Sequence, residues 1–219
     1  MTAVIIGGGD FPRKPFPRYL IATADIIICC DGALVAYLRA APVIFGGKTR
    51  RPDAVVGDMD SLPTKLRKEY SDVIVHFSEQ ENNDQTKSVY YLLEKWPDVD
   101  TIHILGATGK RADHTIGNIS LLMEYGRKFP RIKNIELDMV SDYETIFPIW
   151  NSCTLAVGKG RRVSIITPDK TLEIKSKGLE YDTAGVVFDN WWKATLNRAT
   201  EDEITLDFSH PSAAVVILD

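Results

Sequence analysis

Cysteine is scarce in this chain: Cys29, Cys30 and Cys153 are the only 3 in 219 residues. They form no CxxC pair and no even-numbered set, which excludes a disulfide scaffold. Cys29 and Cys30 close an apolar run and read as buried free thiols. No uninterrupted apolar segment approaches the roughly 20 residues that cross a bilayer. The start, MTAVIIGGGD, has no basic region and no long apolar stretch, so it reads as a strand and not as a signal peptide. Nor does one charge dominate, since 26 Lys plus Arg against 30 Asp plus Glu leave −4 at pH 7. Such a chain has no electrostatic reason to seek nucleic acid or an anionic membrane. An acidic substrate would need a local positive site or a metal ion. Internal repeats and low-complexity segments are absent too. The expectation is a soluble, cytoplasmic protein without nucleic-acid or membrane partners.

What is present begins with a hydrophobic content of 44%, enough for one large domain or two small ones. Five apolar runs open the chain: Ala3–Ile6, Ile26–Cys30, Ala54–Val56, Val73–Phe77 and Thr101–Leu105. Continuous apolar runs bounded by Gly and Asp suit strands covered on both faces. Between them lie helical patterns at Leu34–Ala40, Asp84–Lys95 and His114–Arg127. This alternation predicts an α/β domain over 1–140, with a mainly parallel sheet and helices on both faces. The pattern changes near 135–148. Beyond it lie Ile135–Val140, Glu144–Ile149, Cys153–Val157, Arg162–Ile166, Leu172–Ser176, Gly185–Phe188, Glu203–Asp207 and Ala213–Leu218, with no long helix between them. Short strands at this spacing predict a smaller all-β antiparallel sandwich or barrel over 141–219. The loop of Lys48, Arg50 and Arg51 reads as solvated surface.

Most of the apolar runs in the first part end in a Gly/Asp cluster. In an open parallel sheet the carboxyl ends of the strands share one edge, where ligands bind, so the clusters would meet in one cleft. GDMDS at 57–61 places Asp58 and Asp60 one residue apart, a spacing that lets two carboxylates share a hard cation such as magnesium. Ser61 would touch phosphate or cap the next helix. Alone, the segment is equally well a polar turn. The loop SEQENNDQTKS at 78–88 is richer in Glu79, Glu81 and Asp84 than a helix start requires. Asp84 would add a metal ligand or accept a hydroxyl proton, and Lys87 would meet a phosphate. In GATGKRADHTIGN at 106–118, Gly106 and Gly109 let backbone N–H groups approach a phosphate at a helix start. Arg111 offers a planar fork for its oxygens. Asp113 and His114 open the helix, where a histidine is more often structural than catalytic. Gly7, Gly8 and Gly9 match neither common phosphate-loop pattern. Together these features fit in-line phosphoryl or pyrophosphoryl transfer, in which positioning and charge neutralisation do most of the catalysis.

The ordered set CCDGA (29–33), GDMDS (57–61), D-Q-T-K (84–87) and GATGKRADHTIGN (106–118), followed by a β-rich third, resembles the thiamine pyrophosphokinase family along nearly the whole chain. The resemblance implies an α/β domain followed by a β-sandwich, in a homodimer. It implies transfer of pyrophosphate from ATP, the co-substrate, to the hydroxyl of thiamine, giving thiamine diphosphate and AMP. Asp58, Asp60 and Asp84 would hold Mg2+, and together with Asp113 they form the implied catalytic set. Gly8, Asp31, Gly32, Ser61, Lys87, Gly106, Gly109, Arg111 and His114 would contact ATP. Gln80, Tyr181, Thr195 and Asn197 would form the thiamine pocket, the last three probing it from the β-rich part across the dimer interface. Asp84 and Asp113 both remain open as the group that takes the hydroxyl proton.

The chain departs from the family pattern in places. The first Asp motif reads DGAL, without the usual second Gly and Asn. Glu81 and Asn83 stand where Asp and Thr are common. Lys110 replaces the second glycine of the usual GGR, and Leu196 replaces a serine in ATLN at 194–197. Trp191 and Trp192 would stack on a cationic ring or serve as core or interface residues. Two rival readings share the scaffold: a pyrophosphokinase for another alcohol such as a pterin, and a non-enzymatic nucleotide or thiamine-phosphate sensor.

Overall fold

Strand β1 (Thr2–Ile6) is followed by α1 (Pro15–Thr23), β2 (Ile26–Cys30), α2 (Ala33–Ile44), β3 (Ala54–Gly57), α3 (Thr64–Glu69), β4 (Ile74–His76) and α4 (Asp84–Lys95). Then come β5 (Thr101–Leu105), α5 (Ala112–Lys128), a single 3-10 turn at Pro130–Asn134 and β6 (Glu136–Val140). The rest is strand and loop: β7 (Thr145–Ile149), β8 (Cys153–Ala156), β9 (Arg162–Ile166), β10 (Ile174–Lys177), β11 (Ala194–Arg198), β12 (Glu203–Phe208) and β13 (Ala214–Leu218). The structure is a computed structural model that describes all 219 residues. The chain forms two compact units, one of 1–118 with 134–142 and one of 119–133 with 143–219.

The first unit is built on a sheet in the order β6-β5-β1-β2-β3-β4, with each pair parallel. Successive side chains on a strand point to opposite faces. Cys29 accordingly joins the core under α1 and α2, with Val4, Ile6, Ile27, Leu34 and Tyr37. Cys30 faces the other side, where its thiol lies 3.2 Å from Ser88 Oγ of α4. Helices therefore cover both faces, which is why these strands read as unbroken apolar runs. Each fully buried Ile, Val or Leu contributes about 1.5–3 kcal/mol relative to exposure. The strand order reverses between β1 and β5: the chain leaves β1 toward β2 and leaves β5 toward β6. The entry to α1 is fixed by Asp142, whose carboxylate accepts the N–H groups of Arg13 and Lys14 at 2.8–3.0 Å.

Two helices had no counterpart in the sequence reading. Helix α1 has 9 residues and begins with proline, whose missing N–H is harmless in a first turn. Helix α3 has 6 residues and buries none of them, so it leaves no apolar stripe to detect.

The second unit contains two antiparallel sheets, β11-β9-β13-β7 and β10-β12-β8. Val163 and Ile165 from β9, Ile174 from β10, Ile204 and Leu206 from β12, and Val216 from β13 meet in one core. The unit is a sandwich, as the resemblance implied. The expected strand at Gly185–Phe188 does not form. Gly185 adopts φ +81°, and Val186 donates its N–H to the Thr183 carbonyl at 3.0 Å, closing a turn. Phe188 is buried in the core and Val186 packs partly against it, while Val187 is 59% exposed. The strand is instead β11, which pairs with β9 through a bulge between Ala194 and Asn197. No helix is long and apolar enough to cross a membrane.

Gly126 in α5 lies against Trp150. A Cβ added there would sit 2.4–2.7 Å from Cζ3, Cη2 and Cε3 of the indole. Alanine in place of a helix-interior glycine normally stabilises by up to about 1 kcal/mol. Here Gly126→Ala is expected to destabilise by about 1–3 kcal/mol, the cost of overpacking. Urea unfolding followed by tryptophan fluorescence checks this, and an unchanged or raised midpoint would contradict the contact.

Candidate active site

A cleft of about 650 Å³ opens at the carboxyl ends of the first unit's strands. Its walls come from the segments that follow β1, β2, β3, β4 and β5. The convergence has a local cause at the β1/β5 switch point. Gly7 donates its N–H to the Leu105 carbonyl at 2.7 Å, Gly9 to Gly106 at 2.6 Å and Asp10 to Thr108 at 2.8 Å. The two glycine-rich loops are thus joined by their backbones, and their lack of side chains leaves the floor of the cleft open.

Facing this floor are the carboxylates. Oxygen atoms of Asp31, Asp58 and Asp60 lie within 4.8 Å of one another. Asp31 Oδ2 accepts the Ser61 N–H at 2.9 Å, while its Oδ1 is buried without a partner. Asp84 stands on the far side of Gly57, where an added Cβ would lie 3.0 Å from Asp31 Cβ and 3.1 Å from Asp84 Cγ. Glycine at 57 is what lets the two carboxylates approach. Burial, reinforced by the neighbouring carboxylates, raises the Asp31 and Asp84 carboxyls above their ordinary range. Asp58 moves the other way, because Gln80 Nε2 donates to its Oδ2 at 3.0 Å and the Asp60 N–H donates to its Oδ1 at 3.2 Å. An orphaned buried oxygen within a cluster of hard oxygen donors suits a divalent cation such as Mg2+, which takes carboxylates and keeps part of its water. The residues fit that ion.

The remaining wall residues are held by their own contacts. Lys87 is 3% exposed, and its ammonium lies 3.4 Å from Asp84 Oδ1. Asn83 caps α4 by accepting the Thr86 N–H at 3.0 Å, and its amide donates to Asn118 Oδ1 at 2.9 Å. Asn118 in turn donates to the Ala107 carbonyl at 2.8 Å, tying α5 to the loop after β5. Arg111 grips Asp113 through two N–H groups, which holds the Asp113 carboxyl below its usual range.

The structure brings Gly8, Asp31, Gly32, Asp58, Asp60, Ser61, Gln80, Asp84, Lys87, Gly109, Arg111 and His114 to one cleft. Gly106 and Asp113 are not among its wall residues. Gly106 packs under Gly7, and Asp113 is turned to Arg111 and to the His114 N–H. Ser61 does not cap α3: its hydroxyl donates to Asp60 Oδ1 at 2.8 Å, and α3 starts after Pro63 with no side-chain cap. Sequence reasoning missed Cys30, Asn118 and Lys110 as wall residues. Only their place inside the quoted motifs hinted at them.

Two family descriptions match the chain. "Thiamin pyrophosphokinase, catalytic domain" covers residues 17–134, and "Thiamin pyrophosphokinase, substrate-binding domain" covers 145–212. The chain belongs to the thiamin pyrophosphokinase family. Thiamine pyrophosphokinase 1 of Oryza sativa subsp. japonica is 28% identical over 160 residues, 66% of this chain and 57% of that protein. The thiamine pyrophosphokinase of Bacillus subtilis (strain 168) is 37% identical over 127 residues, 55% of this chain and 54% of that protein. The chain thus spans about half the length of the curated relatives it matches. In fold it is similar to a crystal structure of the Bacillus subtilis enzyme, with TM-score 0.75, 22% identity and coverage of 100% of this chain and 99% of that one. A yeast thiamin pyrophosphokinase structure gives TM-score 0.77 at 18% identity, covering 99% and 85%.

Of the residues that resemblance to this family assigns to thiamine, three lie in the second unit. Asn197 is buried, accepts the Tyr181 N–H at 3.1 Å and donates to the Tyr181 carbonyl at 2.7 Å, leaving the Tyr181 side chain exposed. Thr195 Oγ1 donates to the Trp192 carbonyl at 2.8 Å. Leu196 sits in the bulge at φ +62° and is 83% exposed. Asn197 thus holds backbone, and Tyr181 and Leu196 present side chains.

Because the folded chain raises the Asp31 carboxyl above its ordinary 3.8, it binds a proton more readily than the unfolded chain. Stability therefore rises as pH falls through that window, and the ionised group is a burden above it. Without divalent cations at neutral pH, Asp31→Asn is expected to melt higher than wild type, the gap closing as pH falls toward 3.8. Adding magnesium should reverse the order, because the variant lacks a ligand. Thermal denaturation with and without Mg2+ reads both effects; a variant that melts below wild type without the ion would refute the crowding argument.

Proposed function

We propose that this chain is a thiamine pyrophosphokinase, moving the pyrophosphoryl group of ATP to the primary alcohol of thiamine. The observation that carries the reading is the meeting of Asp31, Asp58 and Asp60 around an orphaned carboxylate oxygen, opposite a floor of glycine backbone. Asp58 and Asp60, with Asp31 and Asp84 beside them, hold Mg2+. The ion, when bound, neutralises polyphosphate charge as it develops during transfer.

The chain's own residues do the rest. The loops after β1 and β5, with Gly8 and Gly109, let the nucleotide phosphates approach the backbone, and Arg111 and Lys87 supply positive charge. The alcohol oxygen attacks the β-phosphorus in line. The new C–O–P bond forms, the bridge between the α- and β-phosphates breaks, AMP leaves and the hydroxyl proton passes to a carboxylate. Asp84 suits that last role better than Asp113: it lines the cleft and its carboxyl is raised by burial, whereas Asp113 is locked to Arg111. Gln80, Tyr181, Thr195 and Asn197 belong to the acceptor side, in a homodimer.

Purified protein given Mg-ATP and thiamine is expected to release AMP and thiamine diphosphate in equal amounts. Asp58→Ala and Asp84→Ala should each lower the rate at least about 100-fold while preserving the fold by circular dichroism, in line with losing a preorganised electrostatic group. AMP release with a pterin alcohol but not with thiamine would transfer the assignment to another acceptor. Nucleotide binding without AMP would leave a sensor.

A further inference from the structure

Among the cations of the cleft wall, Lys87 is paired with Asp84 and Arg111 with Asp113. Lys110 differs: its ammonium rests 2.7 Å from the uncharged carbonyl of Gly8. Its backbone also stands out. Lys110 adopts φ +54°, continuing a left-handed turn begun at Gly109 with φ +80°. A side chain bearing Cβ in that conformation costs roughly 1–2 kcal/mol, and such outliers persist mainly at functional sites. The strain puts the side chain across the switch point, from the β5 loop onto the β1 loop. The N–H groups of Gly7, Gly9 and Asp10 are taken up by the end of β5 and the loop after it, and Gly8, with Gly7 and Gly9, lines the cleft. A carbonyl is a weak acceptor for an ammonium compared with an ionised phosphate oxygen.

We infer that Lys110 is a polyphosphate-binding and specificity-determining residue of this chain, parked on Gly8 until a nucleotide draws its ammonium onto the phosphates. The inference rests on the nucleotide reading above and goes beyond it. It assigns a cation at a position where the family resemblance has glycine. It also states a preference: a nucleoside triphosphate, with more charge to offer, gains more from Lys110 than a monophosphate does.

The test uses Lys110→Gly and Lys110→Arg in the full chain, with Mg-ATP varied at several ionic strengths. Glycine accepts the left-handed backbone, so the Gly variant should melt at or above wild type. Its KM for Mg-ATP should rise roughly tenfold, the lower end for a charged hydrogen bond. The rise should fall on the nucleotide and not on the acceptor, and the dependence of KM on salt should flatten. Lys110→Arg should keep most of the affinity and the salt dependence. Titration with Mg-AMPPNP and with AMP gives the same comparison without turnover, and only the triphosphate analogue should lose affinity in the Gly variant.

An unchanged affinity with unchanged salt dependence overturns the inference. So does a lowered melting temperature with losses shared equally by both nucleotides, which would make Lys110 a staple between loops. If wild type binds Mg-AMPPNP through Lys110 but releases no AMP, the inference stands and the proposed reaction falls.

Discussion

The crowding of Asp31, Asp58, Asp60 and Asp84 at the strand ends is the constraint around which the first unit is arranged. Like charges at these separations repel, and two of the four are raised out of the ordinary carboxylate range by burial. A fold left to stability alone would not gather them. Each is nonetheless held by specific partners: the Ser61 N–H on Asp31, Gln80 on Asp58, the Ser61 hydroxyl on Asp60 and Lys87 beside Asp84. Gly57 is the point where the packing closes, since any side chain there would push Asp31 and Asp84 apart. The protein carries a destabilising charge cluster that a bound cation would resolve, the usual signature of strain kept for function.

That cluster needs a counterpart, and sheet topology supplies it. At the β1/β5 switch point neighbouring strands send their connections in opposite directions, so a crevice opens between them. The backbone bonds that join the glycine loops turn this crevice into a floor with no side chains in the way. The carboxylate cluster and the glycine floor thus face each other because both sit at the carboxyl ends of one parallel sheet. Asn83 and Asn118 lock the α4 and α5 sides of the cleft together through one amide contact.

The second unit obeys a different logic. Its strands bury one core between two antiparallel sheets, and its irregular features lie on the surface. The bulge in β11 places Leu196 in a left-handed conformation and lifts it into solvent, while Asn197 turns inward to hold the Tyr181 backbone. Trp192 and Tyr181 remain largely exposed. These exposed side chains are where acceptor recognition in the proposed reaction would be decided.

Local chemistry was legible in the residues themselves. Apolar runs ending in Gly and Asp foretold the parallel strands, because a strand covered on both faces favours apolar residues along most of its length. GDMDS announced its own turn and its paired carboxylates, and the helical pattern from Asp84 marked the start of α4. Non-local chemistry was legible only as far as the shared strand-end edge, not as particular pairings. Nothing in CCDGA says that Asp31 joins Asp58 and Asp60, since that depends on β2 lying beside β3. Lys110 looked like a missing glycine until its ammonium was found on Gly8, 102 residues away in the chain. The run at Gly185–Phe188 has a strand's composition, yet it turns because β9 pairs with Ala194–Arg198 instead. Periodicity and turn chemistry act within a few residues and are written in the sequence. Strand order, edge pairing and the company a carboxylate keeps are settled by which surfaces bury one another, and only the folded chain decides that.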